Sequence, residues 1–176
     1  ALHDTIRLFI SKHNIEMIIH TGIKYIEDYS DLNIKQLYCL SGYEDKSFYK
    51  ISKILDMNNK SFIYSNNAFE IDLEFYNNDL SNCYKMNDVI FTQSSNDNPL
   101  AMSIQLLVDY SVKNAFFIGF DGYSMKLNKH SIFYEISVEN QNIFDDMLKL
   151  DTIQTCTLTK SNYTGLKRMS IYSFYE

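Results

Sequence analysis

A chain of 176 residues, 45% of them hydrophobic, can bury the core of one domain. Its formal net charge of −6, with only mild basic spots at Lys126–Lys129 and Lys160–Arg168, excludes a general nucleic-acid surface, since phosphate contacts need dense cationic patches. No apolar run reaches the roughly 18 residues of a membrane span. Cys39, Cys83 and Cys156 lack zinc-site spacing, so a reducing, cytoplasmic setting is expected.

The first residues, "ALHDTIRLFISKHN", place Leu2, Ile6, Phe9 and Ile10 at helical spacing, which reads as an amphipathic helix to about His13 rather than a signal peptide. "EMIIH" is a short buried strand ending at His20, broken by Thr21 and Gly22, and "IKYIEDY" is at most a short helix. "KQLYCLS" is a second strand, stopped at Gly42. "YEDKSFYKISKILDM" follows with Phe48, Ile51, Ile54 and Leu55 on one helical face. "SFIYS" is a third strand. From Ala68 to Asn87 the pattern fits either an edge strand or a helix. "DVIFT" reads as a fourth strand, and "QSSNDNPL" as a loop feeding a helix that Asn96 or Asp97 caps and Pro99 begins. "AFFIGF" is a fifth strand, Val138 to Leu150 another helix, and "MSIYSF" a last strand.

Strands alternating with helices, and apolar on consecutive positions, predict an α/β fold. It is expected to be a single three-layer Rossmann-like domain over residues 1–176, with a mainly parallel sheet of about five or six strands and helices on both faces. In such sheets ligands sit outside the carboxyl ends of the strands. The residues expected there are His20 and Thr21, Ser41 and Gly42, Thr92, Ser94, Ser95 and Asn96, and Gly119, Asp121 and Gly122. Ser, Asn and Asp at these points also serve as ordinary helix caps. The "TQSSN" tip can receive an anion at a helix start, but without GxGxxG or a Walker lysine it is no standard nucleotide site. In "GFDG" the glycines allow close backbone approach, and Asp121 either accepts ligand hydroxyls or closes its own turn. His20 is either a general base, a hydrogen-bond donor or a structural residue. Spacing picks out no nucleophile–base–orienter set.

The segments "IIHTGIKYIEDY", "KQLYCLSGYED" and "AFFIGFDGYS", with the "SNDNPLAMSIQLLVDYSVKNA" helix, resemble the C-terminal domain of bacterial aldolase-like proteins. Those proteins are of the 4-hydroxy-2-oxovalerate aldolase or HMG-CoA-lyase type, a barrel followed by a Rossmann-like domain. The resemblance covers most of the chain, and Gly119 to Tyr123 is its most distinctive piece. A weaker similarity is to Rossmann-like sugar transferases that handle nonulosonic acids. An aldolase barrel needs about 250 residues and a divalent metal. The resemblance therefore implies that any lyase chemistry, and its metal, belong to an N-terminal part preceding Ala1, with no cofactor expected in this domain. It implies an accessory domain that binds a small anionic or hydroxylated ligand, partnered by that barrel. The alternatives are an independent transferase using a nucleotide-activated sugar, with Asp121 and His20 in its site, and a structural module whose Tyr and Phe build a homo-oligomer.

Overall fold

The computed structural model describes residues 2–40, 59–65, 82–93, 97–122 and 131–174. Its elements are α1 (Leu2–Lys12), β1 (Met17–His20), a 3-10 turn (Glu27–Tyr29), β2 (Lys35–Leu40), β3 (Lys60–Ser65), β4 (Cys83–Met86), α2 (Pro99–Asp109), β5 (Asn114–Phe117), α3 (Ile132–Leu148), β6 (Gln154–Thr157), β7 (Lys167–Arg168) and a closing 3-10 turn (Ile171–Phe174). The expected helix over "YEDKSFYKISKILDM" and the undecided stretch up to residue 81 lie outside the described residues.

The described strands are all parallel, in an α/β arrangement of two ladders among the described residues, β1-β2-β3-β4 and β5-β6-β7. The chain divides into two compact units, one comprising Ala1–Val89 and Ser95–Ser103, the other Ile90–Ser94 and Ile104–Glu176.

The first unit is organised around β2. Gln36, Tyr38 and Leu40 alternate with Leu37 and Cys39, yet all five are at most 3% exposed, so β2 is covered on both faces. Tyr38 and Leu40 pack with Phe62 of β3 and with Ile23 and Ile26 from the segment after β1. Helix α1 forms as its periodicity predicts, with Ile6 and Phe9 on its buried face. Its Arg7 donates to the Asp28 carbonyl at 2.7 Å and to both carboxylate oxygens of Asp31, tying α1 to the 3-10 turn region.

In the second unit β5 alternates: Ala115 and Phe117 are buried, while Asn114 and Phe116 are exposed. Phe117, Phe120 and Phe144 of α3 meet edge to face, centroids 5.4–5.7 Å apart, with Ile143 and Met147 of α3 also buried. Ser131 starts α3 as its N-cap, its side chain accepting from the Tyr134 N–H.

Two expected strands are replaced. "DVIFT" is not a strand; the ladder position beside β3 belongs to Cys83–Met86. Side chains hold the "DVIFT" segment instead. The Ile90 N–H donates to Gln105 Oε1 at 2.9 Å, and the Thr92 hydroxyl to Asp146 Oδ2 at 2.6 Å. "MSIYSF" closes into a 3-10 turn because Ser170 competes for the backbone: its Oγ accepts the Tyr172 N–H and its carbonyl the Ser173 N–H. In the second ladder β5 pairs with β6 and β6 with β7, strands that the polar "QTCT" and "KR" do not announce.

No helix among the described residues is long and apolar enough to cross a membrane.

Candidate functional site

Because each ladder is parallel, its strand ends share an edge, and the expected site residues can be placed edge by edge. Ser41, Gly42, Ser94, Ser95 and Asn96 lie outside the described residues.

In the first unit, His20 ends β1 and sits in register with Tyr38. The two rings stack, centroids 4.3 Å apart and planes within 4°. His20 Nε2 lies 3.1 Å from Gln36 Oε1, which also accepts the Tyr38 hydroxyl at 2.8 Å. The Gln36 amide nitrogen donates to the carbonyls of Tyr29, at 2.9 Å, and Leu32, at 3.4 Å. Gln36 is thus buried with its hydrogen-bonding groups engaged, as a polar core group must be. Burial drives the His20 pKa down to about 4; the hydrogen bond to Gln36 opposes this, and the charge of Lys60 adds to it. The ring is therefore neutral at pH 7 and cannot act as a strong base there. Thr21, next along the chain, is exposed. Ser65, which ends β3 on the same edge, is 3% exposed and its hydroxyl has no hydrogen-bond partner among the described residues.

In the second unit, Thr92 does not open to ligand, being 6% exposed. It donates to Asp146, which Lys149 engages at 2.7 Å on the other oxygen; Lys149 and then Thr92 hold this carboxyl below the usual carboxylate range. Thr92 does not end a ladder strand, because "DVIFT" is no strand, and the ladder partner of β5 is β6.

The turn after β5 is instead fastened to the residues after β6. The Gly119 N–H donates to Thr159 Oγ1 at 2.9 Å, the Ser161 hydroxyl to the Phe120 carbonyl at 2.6 Å, and the Asn162 N–H to the Asp121 carbonyl at 2.8 Å. Both glycines take left-handed backbone, φ +78° at Gly119 and +71° at Gly122, which only glycine adopts without strain. Their surroundings differ. A Cβ on Gly122 would stand 3.3 Å from the Tyr163 ring and from Asn162 Cβ, whereas one on Gly119 would meet nothing within 4 Å. Gly122 is thus small so that Tyr163 can pack. Gly119 leaves open space at the carboxyl end of β5. Asp121 is exposed, and its fastening runs through the backbone carbonyl.

The Thr159–Tyr163 segment was not picked out from the sequence. It is held from α3: Asn140 donates to the Tyr163 hydroxyl at 3.2 Å, and Gln141 exchanges hydrogen bonds with the Thr164 N–H and carbonyl. The signal available was the polar run "LTKSNYTG" after a β-branched stretch, which marks the end of a strand only once "QTCT" is read as one. No group of three or more His, Cys, Asp or Glu among the described residues is placed to hold a metal ion. Comparison with protein-family models, with characterised proteins and with solved structures gives no match to this chain.

Proposed function

We propose that this chain is an accessory domain of an aldolase-like enzyme, Rossmann-like in its layering, that binds a small hydroxylated or anionic ligand at the carboxyl ends of β5 and β6. One observation carries the reading: Gly119 stands open at the end of a parallel strand, beside the exposed Asp121. A turn needing only close packing would be filled at both glycines, as it is at Gly122. The strand ends are where open parallel sheets present ligand groups, and a carboxylate there accepts hydroxyl hydrogen bonds. The aldolase side of the proposal rests on the resemblance of "AFFIGFDGYS" and its companion segments. It assigns bond cleavage and metal to a barrel outside this chain.

The test is amide-resolved NMR of the chain with D-glucose and with inorganic phosphate as probes. A binding role predicts shifts at the Gly119 and Thr159 amides with one of these, lost in Asp121→Ala, whose thermal stability stays near that of the parent because the side chain is exposed. If neither probe moves those amides, or if Asp121→Ala unfolds the turn while leaving the shifts of unrelated residues intact, the reading fails.

A second reading, an oligomerisation module, draws on Phe116 and Tyr172, which are 39% and 65% exposed. Phe116 meets Phe174 edge to face, centroids 6.0 Å apart. A concentration-independent monomer in sedimentation velocity would remove it.

A further inference from the structure

The polar groups around His20 leave one consistent assignment of protons. Both oxygens facing the Gln36 amide nitrogen are backbone carbonyls, which only accept, so the Gln36 side chain is fixed with its nitrogen toward them. Its Oε1 therefore faces both His20 Nε2 and the Tyr38 hydroxyl, and both must donate to it. A neutral imidazole carries one N–H. With that proton on Nε2, Nδ1 holds a lone pair, and it takes no hydrogen bond among the described residues. The parallel stack on Tyr38 fixes the ring plane, so this lone pair has a set direction.

We propose that His20 binds a neutral hydroxyl-bearing ligand through Nδ1 at the carboxyl end of β1, with Gln36 as the positioning residue that fixes the tautomer. This position is in the first unit and is independent of the turn after β5. The charged and titratable groups around it favour a hydroxyl donor over an ammonium. Tyr38 is fully buried and its hydroxyl is committed to Gln36, while burial raises its pKa. Tyr29, whose ring centroid is 5.9 Å from that of His20, has its hydroxyl 2.9 Å from His3 Nδ1 and is likewise raised by burial. The nearby cation is Lys60, whose charge already disfavours positive charge on the ring. No anion in this set would offset the charge of an ammonium ligand.

The experiment is long-range nitrogen–proton NMR of the histidine side chains in the full chain. At pH 7 the expected His20 pattern is the neutral tautomer protonated on Nε2, and its Nδ1 resonance should move on titration with D-glucose but not with methylammonium. Gln36→Glu keeps an acceptor facing Nε2 and should raise the His20 titration midpoint by at least tenfold in proton affinity. A proton on Nδ1 in the parent, a response to methylammonium alone, or no response to either probe would overturn the proposal. The tautomer is read in the unaltered chain, so a poorly folded Gln36 variant does not obscure the result.

Discussion

Gly119 and Gly122 share a left-handed backbone, yet a methyl group would fare differently at each. At Gly119 the added Cβ enters open space, so Gly119→Ala should cost only the backbone term, about 1–2 kcal/mol. At Gly122 the same backbone term applies, and the methyl also presses on the Tyr163 ring and Asn162, which adds roughly 1 kcal/mol or more of overpacking. Urea unfolding of the two variants should show Gly122→Ala clearly less stable than Gly119→Ala. Equal losses would mean that Tyr163 shifts aside freely. The glycine pair was legible in the sequence as a turn after a strand. What Tyr163 does to one glycine and not the other was not, because Tyr163 is forty-one residues further along the chain and reaches the turn only through the β5–β6 pairing.

At the level of elements, legibility followed the apolar periodicity. β1, β2, β3 and β5 announce themselves as short apolar runs, and α1 and α3 as stripes at helical spacing. The run in "DVIFT" carries the same signal, yet its Ile90 is 78% exposed and its backbone bonds to a glutamine side chain. A pattern of residue types cannot report which partner a backbone N–H finds. β6 fails in the opposite sense: Thr155 and Thr157 suit a strand, but "QTCT" lacks the apolar content by which strands were recognised. The apolar stripe starts α3 only at Val138, because the first residues of the helix, Ile132 and Phe133, are exposed. Its true origin is Ser131, so Ser131→Ala should lower stability by about 1 kcal/mol, within the range for lost N-caps. Thermal unfolding would register this, and Ser131→Asp should recover it.

For the molecule as a whole, the acid limb of stability carries the mark of His20. Its pKa is about 4 in the folded chain against the ordinary 6.5, so between these values the unfolded chain binds more protons. The contribution is therefore complete above about pH 6.5, is lost as the pH falls from there, and is exhausted near pH 4. The slope due to this one group approaches about 1.4 kcal/mol per pH unit. His20→Phe preserves a ring to stack on Tyr38 and removes the titration. Urea midpoints measured across that range should fall less steeply in the variant than in the parent. Parallel curves would show that the ring titrates in the folded state much as it does in the unfolded one.

Lys60 opens the central strand β3 with 2% of its surface exposed, its ammonium donating to the Ser30 carbonyl at 2.6 Å. An amine shielded in this way is chemically silent. Reagents that alkylate lysines reach it only when the strand start separates from the turn it holds, so its rate of modification measures how often the first unit opens. The other lysines among the described residues are exposed and react with the protein intact, which makes Lys60 an internal clock for that event, read by mass from a single labelling series.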